Sequence, residues 1–276
     1  MLTAWQSLPL SLHPVAFVVG GFPVTWYALL YLTGAFVAAV YFVHMARRSG
    51  LLIDAEASVE MIVSILWGVI IGARLGYVVF YGGAEFVNEP WRIFLPYDFS
   101  RDMWIGIRGM SFHGGLIGGA FGLFLYTREA QRDFFRYSDV LVQAVPIALF
   151  FGRIGNFLNL EILGRVTHEA WGMYFPGSAS LLHPVVLYEA VLEGVLLFLV
   201  LNGLGRWFGT KSGYLTAAFL FLYAGIRYLA EGYRAIPLPE HMVFHMFTIG
   251  QALSLAMALF GMIIILIVRK RMVYSR

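Results

Sequence analysis

Three arginines, a histidine and several carboxylates and amides stand inside stretches of this sequence that are otherwise apolar. Arg153 lies in Gly152-Arg153-Ile154-Gly155-Asn156, with Asn159 and Glu161 directly after it. Arg227 has Tyr223 and Glu231 four residues away on either side, so on a helix the three form one polar stripe. Arg74 is the third intramembrane arginine, and His113 opens the run His113-Gly114-Gly115-Leu116-Ile117-Gly118-Gly119. A charged side chain inside a bilayer costs a few kcal/mol, so it faces the protein interior and is a functional candidate. Arginines with Asn, Tyr and His at the ends of different helices make a basic, partly dry pocket, whose natural ligand is an anion with an acyl tail. A phosphate leaving group gains most there, because fixed cations in low dielectric stabilise charge as it develops. A histidine nearby can take or shuttle a proton near neutral pH.

Other chemistry fits less well. An arginine can be held by a carboxylate such as Glu231 only to pin two helices. Glu189 and Glu193, on one face at the start of a predicted helix, are expected to partner the arginines. His241 and His245 are spaced i, i+4 beside Glu240, but no third and fourth metal ligands are evident and His-Glu-x-x-His is absent. No metal or cofactor is expected. A serine hydrolase lacks its Gly-x-Ser-x-Gly elbow, and the chain has no cysteine to act as its own nucleophile.

The elements that must position these residues follow from composition. The chain has 276 residues, 60% hydrophobic and 13% charged, against about 45–50% and 25% in a soluble domain. A bilayer-spanning helix takes about 20 residues, and the expected architecture is an all-α polytopic membrane protein with a single integral membrane domain over 1–276. Apolar runs predict seven transmembrane helices, near Val24–Val43, Ser58–Phe80, Phe112–Tyr126, Val140–Phe157, Val186–Leu204, Tyr214–Ala230 and Phe247–Val268. If the N-terminus lies outside, the inner loops and tail hold eleven basic residues: Arg47, Arg48, Arg128, Arg132, Arg136, Arg206, Lys211, Arg269, Lys270, Arg271 and Arg276. The outer loops then hold five, Arg92, Arg101, Arg108, Arg165 and Arg234. This asymmetry predicts an N-terminus outside and a C-terminus in the cytoplasm. The longest connections, 81–111 and 158–185, fall on the outer face, where they form a small head. Gly68, Gly72 and Gly76 on the second span, and Gly114, Gly118 and Gly122 on the third, recur every fourth residue and let helices approach closely. The net charge of +3 suggests no nucleic-acid partner. The residues alone lead as far as a phospholipid-binding or phospholipid-using membrane protein.

At these residues the sequence resembles the prolipoprotein diacylglyceryl transferases of the bacterial inner membrane. The resemblance runs through Trp26-Tyr27, Gly72-Ala73-Arg74-Leu75-Gly76-Tyr77, the His-Gly-Gly segment from His113, Gly152 to Phe157, Glu161, Gly164-Arg165, His183-Pro184, Leu187-Tyr188-Glu189, Glu193-Gly194, and Arg227 with Glu231 and Arg234. It implies a multi-pass inner-membrane enzyme whose active site faces the outer leaflet. The implied reaction moves the diacylglyceryl group of phosphatidylglycerol to the lipobox cysteine thiol of a prolipoprotein, forming a thioether and releasing glycerol 1-phosphate. By the resemblance, Arg153 and Arg227 are catalytic phosphate-binding arginines and His113 the catalytic histidine, as base or organiser. Tyr27, Asn156, Glu161 and Glu231 match further site residues. With Arg74, Gly164 and Tyr223 they complete the expected substrate-binding set. The alternative is a non-catalytic phospholipid-binding or lipid-transport protein with the same pocket. Leu160 stands where the family pattern has Gly, Val185-Val186 where it has Ser-Gln, and Gly232-Tyr233 where two aromatics precede Arg234.

Overall fold

The computed structural model describes residues 3–51, 54–81, 86, 89–95, 97–98, 103–104, 109–208, 212–235, 242–243 and 246–274. Among these, seven helices reach 18 residues or more. They are α1 (Trp26–Arg48), α2 (Ala55–Tyr81), α3 (Phe112–Glu129), α4 (Phe134–Leu158), α5 (Val185–Phe208), α6 (Tyr214–Glu231) and α7 (Ile249–Tyr274). Five of them, α1, α2, α4, α5 and α7, are long and apolar enough to cross a membrane. Helix α3 is diluted by five glycines and α6 by Arg227 and Glu231.

Three short antiparallel strand pairs amend the all-α expectation: β1 (Val15–Val19) with β2 (Phe22–Thr25), β3 (Tyr97–Asp98) with β4 (Met103–Trp104), and β5 (Met242–Val243) with β6 (Phe247–Thr248). They also move two expected helix starts. Val24 and Thr25 close β2, and α1 begins only at Trp26, because the Thr25 hydroxyl caps it by accepting from the Ala28 amide at 3.2 Å. Phe247 and Thr248 likewise form β6. Thr248 and Gln251 then exchange side-chain and backbone hydrogen bonds of 3.1 Å, a reciprocal cap that starts α7.

The chain divides into two compact units, 1–49 with 139–276, and 50–138. In the first, α4 packs between α1 and α5. A Cβ on Gly34 would come within 2.7 Å of Phe151 Cβ, and one on Gly194 within 2.7 Å of Phe150 Cβ. Helix α6 is anchored at its start by Asp139 of α4, whose carboxylate accepts from the Gly213 amide (2.6 Å), the Thr216 amide (2.7 Å) and the Thr216 hydroxyl (2.6 Å). These bonds satisfy donors that the first turn of any helix leaves unpaired. Helix α5 contains a π-helical turn, Ala190–Leu196.

Residues 158–185 fold over their own apolar core of Phe157, Met173, Phe175, Leu182, Val185 and Val186, with Leu12, Leu160 and Ile162 packed against it. Val185 and Val186, which stand where the expected pattern has Ser-Gln, are both fully covered. The N-terminal turn is tied to the same segment: Trp5 Nε1 donates to the Trp171 carbonyl and the Tyr174 amide to that of Gln6, each at 2.8 Å.

In the second unit α2 and α3 touch backbone to backbone. Side chains on Gly68 or Gly72 would overlap Gly118 and Gly114, and a Cβ on Gly76 would lie 2.7 Å from Gly114 Cα. Ser64 Oγ donates to the Gly122 carbonyl at 2.9 Å, and the Ser111 amide to the Ala73 carbonyl at 2.8 Å.

Candidate functional site

One end of the first unit gathers most of the expected residues. Arg153 comes from the last turns of α4, Glu189 and Glu193 from the start of α5, Tyr223, Arg227 and Glu231 from the last half of α6, and Arg234 from just beyond it. The helix termini suit this arrangement. Arg153 and Arg227 lie toward C-terminal ends, where the backbone dipole favours cations. Glu189 is in the first turns of α5, and the Glu231 carboxylate lies against Gly250 at the start of α7, where a Cβ would come within 2.7 Å of it. Both sites favour an anion.

The cluster is closed by ion pairs. Arg153 Nη2 lies 2.8 Å and its Nε 2.9 Å from Glu193 Oε2, with Nε also 3.2 Å from Glu189 Oε2. Arg227 Nη1 meets Glu189 Oε1 at 3.1 Å, and its Nη2 pairs with Glu231. Arg234 Nε and Nη2 donate to the two Glu189 oxygens at 2.8 and 2.9 Å. Thr248 Oγ1 donates to Glu231 Oε1 at 3.0 Å. Glu189 and Glu193 are wholly buried, whereas the Glu231 side chain keeps 12% of its surface and Arg234 19%. Burial, and then the nearby Arg227, pull the Arg234 guanidinium below its ordinary pKa, against the opposing effect of Glu189. Three arginines facing three glutamates form a formally neutral assembly. Arg234 is an outer-loop charge by composition and part of the family resemblance, but is not among the expected site residues. Its spacing, three residues after Glu231, is the local signal that it joins the cluster.

Tyr27, Asn156 and Glu161 belong to the same unit. Tyr27 rests on Gly155, where a Cβ would meet the Tyr27 ring and backbone at 3.2 Å. Asn156 Nδ2 donates to Glu161 Oε2 at 2.9 Å and Asn159 Nδ2 to Glu161 Oε1 at 2.5 Å, so one exposed carboxylate gathers two amides. The backbone on either side of Glu161 is left-handed, with φ of 58° at Leu160 and 59° at Ile162. A β-branched or bulky residue rarely adopts this region, and such strain concentrates at functional sites. A glycine at position 160 would fit without it. Gly164, expected among the substrate-binding residues, is buried. It bridges to Arg234, and any side chain there would strike His183, so its smallness serves close backbone packing.

Arg74 and His113 belong to the second unit. Arg74 Nε donates to the Ile93 carbonyl at 2.7 Å, Nη1 to Gly109 at 3.2 Å and Nη2 to Arg92 at 2.5 Å, while its guanidinium lies 5.1 Å from the Phe86 ring centroid. These bonds hold the segment after α2, which gives the arginine a structural task. His113 is 7% exposed in the first turn of α3, whose cap is the Ser111 hydroxyl accepting from the Gly114 amide at 3.3 Å. His241, His245 and Glu240 lie outside the described residues.

Comparison with known proteins shows the family. A family model described as prolipoprotein diacylglyceryl transferase matches residues 14–267. A phosphatidylglycerol–prolipoprotein diacylglyceryl transferase of Chlorobaculum tepidum is 38% identical over 265 residues, 94% of this chain and 91% of that one. Its counterpart in Geobacter sulfurreducens is 37% identical over 264 residues, 95% and 97% of the two chains. That of Vibrio cholerae is 38% identical over 269 residues, 96% and 94%. The family-model match spans α1 to α6, most of α7 and every residue of the charge cluster, and the chain belongs to the prolipoprotein diacylglyceryl transferase family.

Proposed function

We propose that this chain transfers the diacylglyceryl group of phosphatidylglycerol to the lipobox cysteine thiol of a prolipoprotein. The carbon–oxygen bond between diacylglycerol and phosphate breaks, a carbon–sulfur bond forms, the thiol proton leaves, and the electron pair departs with glycerol 1-phosphate. Family membership supports the reaction, and the cluster of Arg153, Arg227 and Arg234 with Glu189, Glu193 and Glu231 is the observation that carries it to particular atoms.

Arg153 and Arg227 hold the phosphate as negative charge builds on it, in surroundings where fixed cations act strongly. To do so Arg227 exchanges a carboxylate partner for phosphate oxygens, while Arg153 keeps Glu189 and Glu193 and adds a phosphate oxygen. Glu231, the least buried of the three acids, is the one that yields. Tyr27, Asn156, Glu161 and Tyr223 line the bound lipid and thiol. Arg74 and Gly164 contribute by holding backbone in place. A thiol has a pKa near 8.5, so only a few per cent is thiolate at neutral pH. His113 raises that fraction, as base or by organising the site. The chain crosses the bacterial inner membrane seven times, with its N-terminus outside and the site open to the outer leaflet. The charge asymmetry of the loops and the gathering of the cluster at one end of the helices support this orientation.

The test is a detergent assay with phosphatidylglycerol and a lipobox peptide, following thioether product by mass for wild type, His113→Ala and Arg153→Ala. Product from the wild type with a severe loss in both folded variants is the expected result. No product from a wild type that still binds the lipid would support the non-catalytic reading instead, and near-normal turnover in Arg153→Ala would remove the phosphate clamp.

A further inference from the structure

We propose that the β1–β2 hairpin is itself embedded in the bilayer, at the boundary between headgroups and acyl chains on the side of the α1 N-terminus. The inference rests on the reading of α1 as a membrane span. Side chains alternate between the two faces of a strand, and a hairpin bathed in water keeps one face polar. Here Phe17 and Val19 leave one face with 49% and 60% exposure, and Val18 leaves the other with 61%. Both faces are therefore apolar and uncovered by protein, an arrangement that marks contact with lipid or a partner. The tip, Gly20-Gly21, stands in open space, with no heavy atom within 4 Å of a Cβ at either position. No Asp, Glu, Lys or Arg occurs before Arg47, so nothing charged would have to enter the bilayer with the hairpin.

Its depth is set by α1. Strand β2 runs into the helix without an intervening residue, Thr25 caps α1, and the Trp26 amide donates to the Pro14 carbonyl at 3.0 Å, which pins both ends of the hairpin to the first turn. Trp26, 43% exposed, is the kind of side chain that settles at a membrane interface. Among the described residues the pairing leaves the outer backbone edges of the two-stranded ribbon without strand partners. Those groups need water or headgroups, which excludes the middle of the hydrocarbon and fixes the boundary as the resting place.

The chain contains no cysteine, so single-cysteine variants can be spin-labelled cleanly. Full-length Val18→Cys, Val19→Cys and, as a mid-span reference, Phe36→Cys would be labelled in vesicles of phosphatidylethanolamine and phosphatidylglycerol. Collisions with oxygen, which concentrates among acyl chains, would be compared with those of a water-soluble nickel chelate. The expected result is oxygen exceeding the chelate several-fold at positions 18, 19 and 36 alike. Chelate-dominated collisions at 18 or 19 with a lipid-exposed 36 overturn the embedded hairpin while leaving the span intact. Chelate dominance at 36 overturns both. Labels at 18 and 19 that are wet alone and become protected only when a lipobox peptide is added also overturn it, in favour of a peptide adding to the hairpin edge as a third strand.

Discussion

Replacing Glu189 with Gln tests whether one buried acid holds the arginines together. Glu189 is wholly covered and lies 2.8–3.2 Å from Arg153, Arg227 and Arg234. At about 3 Å and an effective dielectric of about 20, each pair is worth roughly 5 kcal/mol of Coulomb energy before desolvation is counted. The substitution keeps shape but removes the charge, leaving three guanidinium groups facing two carboxylates. Taking one partner from a buried ion pair costs about 3–5 kcal/mol, and for a chain of this size each kcal/mol moves the melting temperature by roughly 2–4 °C. Glu189→Gln should therefore lower the midpoint by about 10 °C and disperse the arginines, with transferase activity falling at least as steeply. Glu231→Gln is the internal comparison. Its side chain reaches solvent and keeps the Thr248 hydroxyl as a partner, so about 1–2 kcal/mol is expected. Thermal unfolding of both purified variants in one detergent reads the difference. Equal losses, or a Glu189→Gln change below about 1 kcal/mol, would refute the argument that Glu189 organises the cluster.

Three further outcomes are expected. Leu160→Gly relieves a left-handed backbone worth about 1–2 kcal/mol at the cost of a partly buried side chain; melting should stay within about 1 kcal/mol of wild type, and a loss above about 3 kcal/mol would show that packing outweighs strain. Gly72→Leu drives a side chain into the backbone of Gly114 and Gly118, so little folded protein should survive detergent extraction, and a normal yield with normal melting would contradict the close α2–α3 contact. Arg132→Ala removes a hydrogen bond to the Tyr137 hydroxyl on the predicted inner side and should change turnover less than twofold; a severe kinetic defect would move the site or reverse the topology.

The helices were legible because long apolar runs broken by charge have few other solutions, and the i, i+4 spacing of Tyr223, Arg227 and Glu231 correctly put them on one stripe. Helix starts were less legible. Val24 and Phe247 are as apolar as the residues after them, and only the hydroxyls of Thr25 and Thr248 decide where the helix begins. Glu189 and Glu193 were readable as partners for arginine, but which arginine each meets depends on how α4, α5 and α6 pack. Gly164 is written in sequence like any other glycine, and its close packing against His183 depends on a tertiary approach that the local sequence does not announce. The strain around Glu161 was visible only as an unexplained Leu160, and a second left-handed residue at Ile162 gave no signal at all.

The π-helical turn Ala190–Leu196 sets the two halves of α5 out of phase. A π turn accommodates one extra residue within an α-helix, and one residue corresponds to about 100° of rotation. Deleting a single position there would leave Leu197–Phe208 seated as before and swing Glu189 roughly a quarter turn around the helix axis, away from the guanidinium groups it now faces. The extra residue thus works as a phase setting: it fixes the direction in which the acids above it are aimed relative to the apolar face that Leu197–Phe208 presents below.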